Sequence, residues 1–259
     1  MPPTVPRAEE LSAAPAWRTV DFLSDLHLDP GHEATVQALA GYLARTHADA
    51  IFLLGDLFEV WVGDDALADP GSFESRCCAL LAQAARQHAL YFLHGNRDFL
   101  IGEGFARASG AALLPDPTVL AFAGQRWLLS HGDALCLDDA EYQRFRVLAR
   151  SPAWQQSFLA VPLAQRRAQA RGMRAQSEAR KHSSAWYADV DHPAALAWLQ
   201  AANARALIPG HTHRPATHVL APGLLRHVLS DWDLDATPPR AEVLRLTAEG
   251  LERLPLAPR

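Results

Sequence analysis

Five short motifs in the chain set carboxylate, imidazole and amide side chains at close spacing. They are Asp25-Leu-His27, Gly55-Asp56, Gly95-Asn96-Arg97-Asp98, His131-Gly-Asp133 and Gly210-His211-Thr-His213. Seven of their residues, Asp25, His27, Asp56, Asn96, His131, His211 and His213, offer nitrogen or oxygen donors, and none offers a thiolate. Such a set suits manganese, iron or zinc better than a cysteine-rich zinc site. Seven donors exceed the needs of one tetrahedral ion but suit two ions sharing a carboxylate. Two metals ~3.5–4 Å apart activate a hydroxide and clamp the oxygens of an in-line phosphoryl displacement. Each motif alone is weak, since an isolated histidine is more often a packed or surface residue. Their order and shared placement give the reading its force. A barrel amidohydrolase opens with HxH, whereas here DxH comes first and GHxH last.

Residues this far apart meet only if the fold gathers them. Each motif follows an apolar run. Residues 19–24, 50–54 and 90–93 read as buried strands, residues 33–45 and 73–87 as helices, with a shorter helix near 104–109. This βαβαβ rhythm predicts parallel strands with helices over both faces. The carboxyl ends of such strands converge on one crevice. On an extended segment residues i and i+2 point the same way, which would aim Asp25 with His27, and His211 with His213, into it. The glycines beside Asp56, Asn96, His131 and His211 let the backbone turn tightly there. Residues 118–123 and 125–130 flank Gly124 like a hairpin that adds antiparallel strands to the sheet. A helix at 194–202 and strands at 206–208, 226–229, 242–246 and 251–254 follow. Residues 1–17 read as a flexible leader, without the apolar stretch of a secretory signal. One domain then spans 18–259, interrupted at about 139–184 by a helical, basic insertion.

The 259-residue composition, 49% hydrophobic and 20% charged, is that of a globular protein and excludes wholesale disorder or a coiled coil. No apolar run approaches the ~18 residues of a membrane span. Three cysteines without CxxC spacing support neither a disulfide framework nor a zinc ribbon, and a reducing cytoplasm is the simplest setting. A net charge of −5 argues against nucleic acid as a general partner. Yet nine basic residues and one acid between Arg144 and Lys181 give that stretch +8 and leave −13 elsewhere. The imbalance points to an anionic partner. Arg166, Arg167, Arg171, Arg174, Arg180 and Lys181 interleave with Trp154, Phe158, Leu159, Val161 and Leu163. The pattern fits an anionic headgroup beside acyl chains or a membrane surface, and equally a solvated helical cap with a buried stripe.

The series DLH, GDLFE, GNRD, HGD and GHTH resembles the calcineurin-like metallophosphoesterases. More narrowly, Gly55-Asp-Leu-Phe-Glu, Trp61-Val-Gly-Asp-Asp65, His94-Gly-Asn-Arg-Asp-Phe-Leu100, His131-Gly-Asp-Ala-Leu-Cys136 and Gly210-His-Thr-His-Arg-Pro215 are similar to the UDP-2,3-diacylglucosamine hydrolases of lipid A synthesis. The resemblance implies an α/β fold, an αββα sandwich of mixed sheets with a helical cap. It implies two Mn²⁺ ions, one on Asp25, His27, Asp56 and His213, the other on Asp56, Asn96, His131 and His211, with Asp56 bridging. It implies hydrolysis of the pyrophosphate of UDP-2,3-diacylglucosamine to UMP and the diacylglucosamine 1-phosphate. Work by a monomer, cytoplasmic and peripheral on the inner membrane, is expected too. Substrate contacts would come from Asn96, Arg97, Asp139, Ser177, Lys181, Ser184 and His211. Several relatives carry Asn and then Lys where this chain has Lys181 and Ser184.

In the wider superfamily the residue after the ligand Asn is commonly His, suited to protonating a leaving alkoxide. Here it is Arg97, which releases no proton at neutral pH. Such a site favours a leaving group that departs as an anion, with Arg97 and His211 steadying phosphate oxygens. The structural alternative for Arg97 is an ion pair with a nearby acid such as Asp98. Asp98 and Asp133 are expected to orient ligands or loops, Trp61 and Asp64-Asp65 to shape the pocket rim, and His94 to pack. A general phosphoesterase acting on nucleotides or phosphoproteins, and a non-enzymatic membrane adaptor, are the competing functional classes.

Overall fold

The computed structural model describes residues 5–183 and 189–256, and the side chains of all of these except 174–183. Three near-continuous apolar strands, β2 (Val20–Leu23), β3 (Ala50–Leu54) and β4 (Ala89–Leu93), form its centre. Runs this apolar are buried on both faces, the mark of parallel strands. They pair in parallel with one another, and β5 (Ala112–Leu114) extends the sheet. Beyond β2 the sheet turns antiparallel through β11 (Glu242–Thr247) and β12 (Gly250–Pro255).

The βαβαβ rhythm suggests helices over both faces, but they cover one. Leu23, Ile51, Leu53, Leu90 and Phe92 pack against α1 (Glu33–Arg45), α2 (Phe73–Ala84) and α3 (Glu103–Ser109), through Leu39, Leu43, Cys77, Leu81 and Phe105. The other face, Val20, Phe22, Ala50, Phe52 and Leu54, meets a second sheet through Leu120, Phe122, Trp127, Leu129 and Ile208. The hairpin of β6 (Thr118–Phe122) and β7 (Gln125–Leu129) therefore opens a new sheet instead of extending the first. That sheet runs β1-β6-β7-β8-β10-β9, with β1 (Glu9–Ser12), β8 (Ala206–Ile208), β9 (Ala216–Ala221) and β10 (Leu224–Val228). Its outer face is covered by α7 (His192–Ala201) through Ala194, Ala195, Trp198 and Leu199. The layers are thus α, β, β, α.

Strand β1 (Glu9–Ser12) corrects the leader. It pairs in parallel with β6, and Trp17 packs edge-on against Phe52 and Tyr91. A four-residue, polar edge strand has no periodicity to betray it.

Between β7 and α7 lie α4 (Ala140–Ala149), α5 (Pro152–Leu159) and α6 (Leu163–Ser183). Their starts are local in origin. Asp139 accepts a hydrogen bond from the Tyr142 amide, and Ser151 accepts from Trp154 with Pro152 in the first turn. Side-chain oxygens at these positions satisfy helix-end amides. Among the described residues no helix is long and apolar enough to cross a membrane.

Candidate active site

The seven donor residues lie just beyond strand ends. Asp25 follows β2, Asp56 follows β3 and Asn96 follows β4, while His131 follows β7 and His211 follows β8 of the second sheet. Because β7 and β8 are also parallel, the carboxyl ends of both sheets open onto one crevice.

Asp25, His27, Asp56, His211 and His213 all adopt left-handed backbone conformations, with φ between 48° and 66°. The extended geometry expected for DxH and HxH is therefore wrong. The backbone reverses sharply at these five residues, in a conformation that non-glycine residues adopt only at some energetic cost. The glycines act by close approach more than by turning. A Cβ on Gly210 would lie 2.3 Å from Ser24 Oγ and 2.4 Å from Asp25 Oδ2. Gly55 combines both needs, with φ of 88° and Gly95 and the His131 ring 2.6 Å from its missing Cβ.

The side chains converge. His213 Nε2 lies 3.3 Å and His27 Nε2 3.9 Å from Asp25 Oδ1, and the two imidazole nitrogens are 3.2 Å apart. Asp56 faces both ways, with Oδ1 3.6 Å from His131 Nε2 and Oδ2 4.0 Å from His27 Nε2. Asn96 Oδ1 sits 2.7 Å from His211 Nδ1 and 3.0 Å from His131 Nε2. Two groups, Asp25 with His27 and His213, and Asp25 with Asp56 and His131, present ligand atoms within 4.8 Å of one another. Asp25 Oδ1 is buried without an aligned hydrogen bond, which a bound cation would remedy. Donors of this kind, pooled in one place, fit divalent metal. The cysteines stand apart, all buried, their thiols pushed up to about 12 by burial.

The charges of the cluster are mutually adjusted. Burial pushes the His131 imidazole down, but Asp56, Asp25 and Asp133 together lift it to about 9. His211 goes the other way, to about 4, through burial and the neighbouring His131 charge. Burial raises the Asp25 carboxyl, yet His213, His131 and His27 hold it well below the usual range. Access is graded: His131 and Asp25 are buried, while the His27 and His213 side chains are 18% and 35% exposed.

Arg97 does form an ion pair with a nearby acid, but the partner is Glu59 and not Asp98. Its Nη1 lies 3.4 Å from Glu59 Oε1, and Glu59 Oε2 is 2.8 Å from His27 Nδ1. Asp98 is buried and accepts amide hydrogen bonds from Gly95 and Leu57 at 2.8 and 2.7 Å. It fixes the two loops that carry Asp56 and Asn96. His94 bonds the Ile101 carbonyl and packs edge-on against Phe92. Trp61 is buried against Phe58 and Phe105, and Asp64 accepts from the Gly104 amide at the start of α3, so both are packing elements. Asp65 pairs with Arg166.

The basic insertion is less free than its composition suggests. Arg166 is buried, paired with Asp65 and donating to the Val62 and Val161 carbonyls. Arg167 pairs with Glu74, and Arg146 and Arg150 with Asp133. Asp139 is exposed and caps α4. The Ser177 and Lys181 side chains and Ser184 lie outside what the structure describes.

Sequence reasoning missed Glu59, Asp231, Tyr142 and the two arginines on Asp133. Asp231 Oδ2 sits 3.8 Å from His213 Nδ1 and binds Arg240. Tyr142 donates to Asp133 and stacks on the His211 ring at 6.1 Å and 27°. Glu59 stood within a quoted motif, three residues after Asp56, but nothing in that spacing gave it a role.

Residues 18–215 match the family model described as calcineurin-like phosphoesterase. The chain belongs to that family. Membership implies a divalent metal, in keeping with the donor cluster. The chain is 46% identical to a UDP-2,3-diacylglucosamine hydrolase of Chromobacterium violaceum, over 92% of this chain and 98% of that one. It is 45% identical to one of Ralstonia nicotianae, over 88% of each chain, and 42% identical to one of Bordetella pertussis, over 92% and 93%.

Proposed function

We propose that this phosphoesterase hydrolyses the pyrophosphate bond of UDP-2,3-diacylglucosamine, releasing UMP and 2,3-diacylglucosamine 1-phosphate for lipid A synthesis. The observation that carries the reading is Arg97, bound to the same Glu59 carboxylate that holds His27 of the donor cluster, in a chain whose relatives bear that name. A permanently charged guanidinium donates no proton at neutral pH but offers two parallel N–H bonds to phosphate. A leaving group that departs as a phosphate anion is matched to it.

The residues divide the work. Asp25, His27, Asp56 and His213 would hold one Mn²⁺, and Asp56, Asn96, His131 and His211 the other, with Asp56 between them. Bound divalent ions would supply a nucleophile at neutral pH and neutralise phosphate charge. Asp98 and Asp133 fix the loops. Arg97 and the neutral His211 orient phosphate oxygens in line. Four of the five large apolar side chains exposed among the described residues, Val147, Leu148, Leu159 and Met173, lie on α4–α6. That concentration supports a cap that meets acyl chains or the cytoplasmic leaflet of the inner membrane, where a monomer would dock peripherally. Binding energy from the chains, remote from the reacting bond, would hold the diphosphate in place.

The test is UMP release from UDP-2,3-diacylglucosamine beside UDP-N-acetylglucosamine, with Asp56→Ala as control. Release from the acylated compound alone supports the reading. Equal cleavage of both removes the lipid assignment.

A further inference from the structure

One side chain joins the cap to the loop that carries Asn96 and Arg97. Arg150, at the end of α4, directs Nη2 to the Gly95 carbonyl at 3.0 Å and to Asp133 Oδ2 at 3.4 Å. Its guanidinium carbon also lies 5.9 Å from the centre of the ring of Phe99, four residues further along the same loop. Arg150 thus grips residues 95–99 at both ends, with Asn96 and Arg97 between. Through Asp133 it also reaches the loop of His131.

The grip continues into the cap. Phe99 packs against Trp154 of α5 at 6.0 Å, Trp154 stacks on Phe158 at 4.8 Å and 10°, and Phe145 of α4 meets Trp154 edge-on at 6.3 Å. These rings are partly buried, and Leu148 and Leu159 beside them are exposed. Helix α4 is itself held to the metal-site loops, since Tyr142 and Arg146 donate to Asp133 and Gln143 donates to its carbonyl. A change in aromatic packing under the cap therefore has a short, rigid route to the position of Arg97.

We propose that Arg150 is a positioning residue through which acyl chains seated against the Phe145–Trp154–Phe158 cluster set the 95–99 loop for reaction. The inference rests on the lipid-substrate reading above. Acyl binding energy then appears in kcat and not in KM alone, as expected when remote contacts align a reacting group.

The experiment uses the full chain loaded with Mn²⁺. UMP release is measured for UDP-diacylglucosamines of increasing chain length, with bis(p-nitrophenyl) phosphate as a probe too small to reach the cap. For the unaltered chain kcat rises with chain length. Arg150→Met abolishes that rise, lowering kcat for the long-chain substrate by ~10–100-fold, and leaves the small probe within about threefold. Arg150→Lys, which keeps the charge but lacks the planar guanidinium face that lies over Phe99, falls between them. Equal losses on both substrates would show a structural role only and overturn the proposal. So would a change confined to KM. If the unaltered chain releases no UMP from the long-chain substrate while cleaving the small probe, the substrate reading fails and takes this inference with it.

Discussion

Replacing Gly95 with alanine would put a methyl carbon 2.1 Å from Asp56 Oδ1 and 2.3 Å from the Asp56 amide nitrogen. Gly95 is not among the residues with positive φ, so the conflict is contact alone. Restoring an ordinary contact needs about 1.3 Å of movement, and Asp56 is tied by the Arg97 amide at 2.8 Å and through its own amide to Asp98. Misplacing a reacting group by about 1 Å costs on the order of 10²-fold in rate, or ~2.7 kcal/mol of barrier. Gly95→Ala is therefore expected to lower kcat for UMP release by at least ~10²-fold and to weaken Mn²⁺ binding by ~10–100-fold. The fold survives, because overpacking of this kind costs about 1–3 kcal/mol. Steady-state kinetics across a Mn²⁺ titration, with thermal melts alongside, reads all three. Gly41→Ala, whose methyl would meet only the Arg45 side-chain tip in α1, is the control that leaves activity intact. Activity and metal affinity of Gly95→Ala within threefold of the unaltered chain would refute the reasoning.

Three further perturbations separate parts of the site. Glu59→Gln keeps the volume but removes the charge that holds both His27 and Arg97; metal affinity should fall ~10–100-fold and the long-chain substrate should bind more weakly, read by calorimetry and KM. In metal-free protein the His131 pKa near 9 exceeds the unfolded value of about 6.5, so its stabilisation is full below pH 6.5 and is lost as pH rises through 9. Chemical denaturation should show that loss, of up to about 3 kcal/mol, and Mn²⁺ binding at pH 7.5 should release at least about one proton, seen by calorimetry in buffers of different ionisation enthalpy; a flat profile with no proton release would be inconsistent. Arg166→Ala removes a buried donor from the Val62 and Val161 carbonyls, while Asp65, half exposed, is left to water; it should destabilise the chain by about 1–3 kcal/mol in urea unfolding, whereas no measurable loss would show that α6 is anchored elsewhere.

What the sequence made legible follows from where its patterns come from. β2, β3 and β4 are buried on both faces and announce themselves as apolar runs. β1 and β9 are edge strands, with polar or alternating residues, and only pairing with β6 and β10 defines them. That one face of the first sheet meets a second sheet is a tertiary fact that residue periodicity does not encode. The donor residues were readable by type and order. Their left-handed backbone was not, since side-chain patterns carry a period but no sign of φ. Partner choice was equally hidden. Arg97 and Asp98 are neighbours in sequence yet face different groups, Glu59 and the backbone amides of Gly95 and Leu57. The positive charge of the insertion looked free because Asp65, Glu74 and Asp133, which neutralise much of it, lie up to about a hundred residues earlier.

The measurement closest to the central claim counts the ions at work. Metal-stripped protein is titrated with Mn²⁺ while electron paramagnetic resonance and UMP release are followed together. Two bound ions per chain, magnetically coupled, with activity rising as the second binds, is the predicted result. Full activity with one uncoupled ion per chain would contradict the paired-metal site built on Asp56.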